Sequence, residues 1–498
     1  MYRQFLPKLG FTLGLACLTG CSSSPSVATD SQAELNAIQH IVVIYAENRS
    51  FDNLYGLFPG ANGVHQASIQ ASTQIDHNGK ALAQLPPIWP TKERESPFKL
   101  TLPNAPFQLD SPQYNLPLSA VTRDLVHRFY QNQEQINGGL NNKFAAISDA
   151  GGLVMGYYDG SKLPLWQWAK EFTLADNFFM GAFGGSYLNH QWLICACTPT
   201  DPDAPQKLRA HPTAQGFLER KPDSPASALE GPPKLLDGAV TPDGYSVNTQ
   251  YSAYQPSGIP PAPNGDLRYA DPAQHSLPPQ TAKTIGDTLS AKGVSWAWYA
   301  SGWNAAVVDS KITDKNARQV IYAEKPGAIN FQAHHQPFNY YQRFAPGSTD
   351  REEHLKDGDD FIHAIENNSL PQVAFYKPAG NFNEHAGYTD VLSGDQHIDQ
   401  ILQRLRQSPA WASTVVIVTY DENGGFWDHV APPVADSWGP GTRIPALIIS
   451  PLAKRGFIDH SVYDTTSIIK FITKRFDLEA LPGVRANVGD LVNALELK

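Results

Sequence analysis

Two apolar, β-branched runs that end alike constrain this chain more than any other feature. They are "IVVIYAEN" (Ile41 to Asn48) and "VVIVTYDEN" (Val415 to Asn423). Neither alternates apolar with polar residues, so each reads as a strand buried on both faces, the habit of a parallel sheet. In open α/β sheets ligands bind beyond the carboxyl ends of the strands. If the two strands are parallel neighbours, Glu47-Asn48 and Asp421-Glu422-Asn423 converge there from opposite ends of the sequence. Three carboxylates in one cleft repel one another unless a cation sits among them, and oxygen donors suit a hard divalent metal. Either cluster alone reads more plainly as solvated acids at a strand end; the matched pair favours a site.

Strand and helix signals alternate through the second half. "TIGDTLSAKG" (Thr284 to Gly293) predicts a helix with a glycine stop, then "VSWAWYA" (Val294 to Ala300) a strand. "PQVAFYKP" (Pro371 to Pro378) reads as a short strand, and Gly394 to Pro409 as a helix with Ile398, Ile401, Leu402 and Leu405 on one face. "RIPALIISP" (Arg443 to Pro451) predicts a further strand, and Tyr463 to Phe476 a capped helix. This alternation predicts α/β layers around a mostly parallel sheet, in one catalytic domain over 39–498. The proline-rich stretch 201–280 lacks periodicity and reads as a long insertion of loops and short elements.

The first residues read as an export signal over 1–20. Arg3 and Lys8 precede an apolar Leu9 to Leu18, and Leu18-Thr19-Gly20-Cys21 follows. This resembles the lipobox of bacterial lipoproteins, in which the cysteine is lipidated and becomes the mature N-terminus. Residues 21–38 then read as a tether, and the implied location is periplasmic or outer-membrane-anchored. No later run approaches the ~18 apolar residues of a spanning helix, so membrane contact is expected only through the lipid on Cys21. A net charge of −10 argues against a nucleic-acid partner. Cys195 and Cys197 read equally as two thiols or as one strained bridge.

"FGGSYLNHQWLICAC" (Phe183 to Cys197) puts Ser186 at the entry to a helix running through Tyr187 to Ile194. A serine there is commonly an N-cap, yet a helix N-terminus also suits a nucleophile for phosphate. Gly184-Gly185-Ser186-Tyr187-Leu188 does not fit G-x-S-x-G, which disfavours an α/β-hydrolase elbow. His127, His334, His335 and His385 lie in loop-like segments and offer leaving-group protonation and anion binding.

Together "ENRSFDNLYG", "NQEQINGG", "GGSYLNHQ", "FQAHHQPFNYY", "NEHAGYTD" and "YDENGGFWDHV" resemble the bacterial acid phosphatase A and phospholipase C group of phosphoesterases. The resemblance covers almost all of the chain beyond the tether. It implies an alkaline-phosphatase-like three-layer α/β/α sandwich and metal-assisted hydrolysis of a small-molecule phosphoester. It further implies a divalent ion on Glu47, Asn48, Asp421 and Glu422, with Ser186 as the nucleophile that becomes phosphoserine. His127, His334, His335 and His385 are then expected on the phosphate and leaving-group side, and protonated histidines would explain an acidic optimum. Arg49 reads as a phosphate contact or an ion pair behind the strand. Asp428 and His429 read as supporting residues. The phospholipase branch typically has threonine in place of Ser186 and often histidine in place of Asn423, so the resemblance points to the acid phosphatase branch.

Lipidation at Cys21 predicts that Cys21→Ala abolishes incorporation of radiolabelled palmitate and releases the protein from the membrane fraction. Membrane retention of that variant would exclude the anchor.

Overall fold

The computed structural model describes residues 28–89, 101–323 and 327–497, so the signal segment and Cys21 lie outside the described residues. Its centre is an eight-stranded sheet. In chain order the strands are β1 (His40–Ala46), β2 (Thr173–Ala175), β3 (Trp296–Ala300), β4 (Leu355–Asp357), β5 (Val373–Lys377), β6 (Thr414–Tyr420), β7 (Ala446–Ile449) and β8 (Phe457–Asp459). Across the sheet they run β8-β2-β7-β6-β1-β5-β3-β4. Only β7 is antiparallel to its neighbours; every other pairing in this sheet is parallel. The expected fold class, an α/β layered structure with a mostly parallel sheet, is the one observed.

Every residue of β6, and every residue of β1 after His40, is buried. Burial on both sides of a strand requires a covering layer on each face. One set of covering helices comprises α1 (Pro164–Glu171), α4 (Gly358–Glu366) and α5 (Val391–Gln407); α1 and α4 each pack on α5. The other comprises α2 (Ser186–Cys195), α3 (Ile285–Ala291) and α6 (Thr465–Phe476), where α2 touches both others. Each fully buried Ile or Val stabilises by about 1.5–3 kcal/mol relative to exposure. The central strands therefore sit in fixed register, and the residues that follow them inherit fixed positions.

Local signals explain the boundaries. Thr284 caps α3 in a reciprocal box with Asp287, and Asp464 caps α6, so that helix begins at Thr465 and Tyr463–Asp464 form a short strand instead. Helix α5 starts at Val391, three residues before the expected Gly394, because Asp390 supplies the cap to Ser393 N. The expected tether gives way early: Ala28–Leu35 is helical, and Leu35 and Ile38 are buried in the core. Over 201–280 the chain forms isolated bridges and one 3-10 turn, Gln206–Leu208. Cys195 and Cys197 form a disulfide at the end of α2.

A buried acid pair joins α5 to the loop before it. Tyr420 Oη donates to Glu384 Oε2 at 2.9 Å, while Glu384 Oε1 and Asp395 Oδ2 have no partner among the described residues. Burial pushes Glu384 up to about 8 from 4.5, against the pull of Arg49. The unfolded chain releases this proton near 4.5 and the folded chain keeps it to about 8, so stability falls as pH rises between the two. Urea unfolding from pH 5 to 8 should show this slope, up to ~1.4 kcal/mol per pH unit, and Glu384→Gln should flatten it. An unchanged slope in that variant would exclude a neutral buried Glu384.

Candidate active site

Strands β1 and β6 pair in parallel from His40 opposite Thr414 to Ala46 opposite Tyr420. The next residues, Glu47 and Asp421, are therefore neighbours, and Asp421 N donates to Ala46 O at 3.1 Å. Asn48 turns the chain with φ +63° and donates its own N–H to Asp421 Oδ1 at 3.2 Å. The two turns interlock at Gly424 (φ +59°), where a Cβ would lie 2.3 Å from Asn48 O. The predicted convergence of the two acid-amide clusters is present.

Ser186 is the first residue of α2 and Gly185 is its cap, so the serine hydroxyl is not spent on capping. It donates toward Asn48 Oδ1 at 3.3 Å and Glu422 Oε1 at 3.4 Å. Glu422 Oε2 is held by Gly424 N, which leaves Oε1 facing the serine. Ser186 opens onto a cavity of about 560 Å³ whose lining includes Glu47, His127, His334, His335 and His385. Asn48, Asp421 and Glu422 are fully buried beside it. All nine expected site residues thus gather at one end of the sheet, six on the cavity wall and three behind it.

The histidines divide by charge. Burial pushes His334 well down, His335 to about 4 and His385 down, so these three stay neutral. Burial also works against a charge on His127, but Glu422 and Asp124 outweigh it and raise the ring to about 9. Its Nε2 is 3.6 Å from Glu422 Oε1 and its Nδ1 3.5 Å from Asp124 Oδ1. Burial thus works against the charge that the sequence reading expects on His334, His335 and His385, whereas at His127 the facing carboxylates outweigh it.

Two basic groups escaped the sequence reading. Lys377, at the end of β5, is fully buried with Nζ 2.9 Å from Glu47 Oε1. It closes a buried strand as Glu47 and Asp421 do, and that shared position was the available signal. His190, one turn after Ser186, donates from Nδ1 to Ser186 O at 2.7 Å. Arg49 is buried, with Nε and Nη2 on Glu384 O, so it supports the fold and does not reach the cavity. Asp428 and His429 join Asp52 and Arg443 in a buried ion network.

The donor set suits a cation. Glu47 Oε1 has Lys377 and His335 Nε2 in close contact, yet neither meets it with hydrogen-bond geometry, and Asp421 Oδ2 has no hydrogen-bond partner among the described residues. Groups of potential ligand atoms within 4.8 Å of one another include Glu47-His334-His335 and Glu47-His190-Asp421. Burial pushes Asp421 up to about 6 and Glu422 well up, the mark of crowded carboxylates short of positive charge. A divalent ion among these oxygens would offset that deficit.

Residues 38–479 match the phosphoesterase family. Curated relatives include phospholipase C B of Mycobacterium tuberculosis, 24% identical over 503 residues that cover 92% of this chain and 78% of the relative. Non-hemolytic phospholipase C of Burkholderia pseudomallei is 24% identical, covering 99% of this chain but only 64% of the relative. Solved structures similar to the chain include the phosphonate monoester hydrolase of Agrobacterium radiobacter, with a TM-score of 0.33 and 10% identity over 92% of this chain and 77% of that one. The PsFucS1 sulfatase from Pseudoalteromonas sp. gives a TM-score of 0.34 and 9% identity over 94% and 75%.

The approach of α2 to His127 depends on Gly185. Its φ of −99° and ψ of −178° are open to any residue, but a Cβ there would sit 2.6 Å from His127 O. Gly185→Ala should cost about 1–3 kcal/mol in thermal unfolding and lower phosphoester hydrolysis tenfold or more. Unaltered turnover in that variant would show that the spacing of Ser186 and His127 is not critical.

Proposed function

The chain belongs to the phosphoesterase family and is a phosphoester hydrolase, and from that premise we propose an acid phosphatase that cleaves phosphomonoesters through a phosphoserine intermediate. One observation carries the reading: the uncapped Ser186 hydroxyl at the first turn of α2 opens on a cavity walled by four histidines. The free N–H groups of that turn favour an anion beside the serine. A divalent ion held by Glu47, Asn48, Asp421 and Glu422 would supply positive charge to the phosphoryl oxygens and favour the serine alkoxide.

The chain's own residues perform the rest. Ser186 Oγ attacks phosphorus, its proton passing to Glu422 Oε1, and the O–P bond forms as the bond to the leaving oxygen breaks. Asn48 Oδ1 at 3.3 Å and Glu422 Oε1 at 3.4 Å are the acceptors within reach of the serine hydrogen. His127, charged up to about pH 9, gives its Nε2 proton to the leaving oxygen. The neutral imidazole of His385 and its stacked Tyr388 border the same space, with ring centroids 4.1 Å apart. Hydrolysis of the phosphoserine by water reverses these roles: His127 takes the water's proton, the Ser186 O–P bond breaks, and Glu422 returns a proton to Ser186 Oγ.

A second reading is a phospholipase C, favoured by the names of the relatives. The lipid expected on Cys21 would hold either enzyme at a membrane outside the cytoplasm. Ser186→Ala should reduce hydrolysis of p-nitrophenyl phosphate to below about 0.1% of wild type with an unchanged circular dichroism spectrum, and acid-quenched wild-type protein should carry phosphate on Ser186. Substantial turnover by the variant would remove the serine from the mechanism. Release of phosphocholine from phosphatidylcholine faster than phosphate from monoesters would select the phospholipase.

A further inference from the structure

Tyr322 holds a left-handed backbone, with φ +53°. For a bulky aromatic residue that conformation is an outlier whose free-energy cost the surrounding structure must offset. Buried Asp309 accepts from three successive N–H groups just before it, those of Gln319 at 2.8 Å, Val320 at 3.0 Å and Ile321 at 2.9 Å. Tyr322 N then donates to Phe331 O at 2.9 Å. Tyr251, from the 201–280 insertion, packs edge-on against the Tyr322 ring with centroids 5.6 Å apart.

The turn so anchored delivers a phenol to a histidine of the active site. Tyr322 Oη lies 3.3 Å from His334 Nδ1, and both residues line the cavity onto which Ser186 opens. The direction of that hydrogen bond follows from the other neighbours of the oxygen. The backbone N–H groups of Ala333 and His334 donate to Oη, and burial holds the phenol in its protonated form. With its lone pairs occupied, Oη has its hydrogen to give. His334, kept neutral by burial, accepts that hydrogen at Nδ1, so its own proton sits on Nε2.

We propose that Tyr322 is a positioning residue that fixes His334 in the Nε2–H tautomer, so that the ring presents a hydrogen-bond donor to the phosphoryl group. This rests on the phosphate-binding cavity proposed above. A phosphoryl oxygen carries only lone pairs and is met favourably by N–H groups. The other tautomer would set a nitrogen lone pair against it, and His334 would then repel the group it is placed to bind. The strained turn at Tyr322 is thus the cost of directing one phenol hydrogen at one ring nitrogen.

Nitrogen NMR of the full chain, labelled with nitrogen-15 histidine, reads the tautomer directly, and the loss of one signal set in His334→Gln assigns it. Wild type at neutral pH should carry the proton on Nε2 and show Nδ1 as a hydrogen-bonded acceptor. In Tyr322→Phe the Nδ1 signal should move to that of an unbonded lone pair, and the inhibition constant of inorganic phosphate should rise about tenfold. In the His334→Gln background the same substitution should change that constant by less than about twofold. Tyr322→Gly removes the phenol at a φ that glycine favours and serves if the phenylalanine variant fails to fold. A wild-type proton on Nδ1 would overturn the proposal without any variant. An unmoved Nδ1 signal or an unchanged inhibition constant in a folded variant would overturn it equally, as would the same loss with and without His334. A wild type that phosphate does not inhibit would instead remove the phosphate-binding reading, and the proposal with it.

Discussion

The parallel pairing of β1 with β6 is the contact on which the site depends. It carries no chemistry itself, being a ladder of Ile, Val, Tyr, Thr and Ala sealed from water. Because the strands share direction and register, they end level, and the residues after Ala46 and Tyr420 meet. A shift of one residue would separate Glu47 from Asp421 by a strand step of about 3.3 Å. The charged cluster opposes this pairing, since burying like charges side by side is unfavourable. The apolar core supplies the free energy that holds the carboxylates together, and cations lower the cost of doing so.

Around that seam the chain brings in single groups from distant segments, each by a separate local device. The cap at Gly185 frees Ser186, and the absence of a Cβ there lets α2 close on His127 O. The left-handed turn at Asn48 directs its N–H onto Asp421. A 3-10 turn, Ala333–His335, carries two histidines to the site, and His335 meets Glu47. The insertion over 201–280 sends Val247, Asn248, Thr249 and Tyr251 to the cavity wall. The rigid parts thus fix the reacting groups, while the irregular insertion shapes the space beyond them.

Much of this was legible in the sequence. Unbroken β-branched runs announced the parallel sheet, and the acid-amide endings marked its active edge. The histidines stood out in loop-like segments beside the acids, and the family resemblance assigned them to the phosphate side; their charge was not legible, because it depends on which carboxylates face each ring after folding. Asp124 is three residues from His127 in sequence, but Glu422 arrives from the far end of the chain. Lys377 was missed for a related reason. A lysine after "VAFY" before a proline looks like a strand meeting solvent, and only the placement of β5 beside β1 turns it inward. The start of α5 was misplaced by the weaker signal at Gly394, where the true cap was Asp390.

Placing opposite charges at different depths gives the site a direction. Lys377 lies off the cavity, the carboxylates come next, then Ser186, and His127 stands at the cavity with its side chain 17% exposed. Negative charge is therefore flanked by positive charge both behind it and toward solvent. His127 lines the cavity and Glu422 lies behind it, so the imidazolium offsets the repulsion that the carboxylates would otherwise impose on an anionic phosphoester. The three neutral histidines can then act as polar contacts without adding charges to be buried.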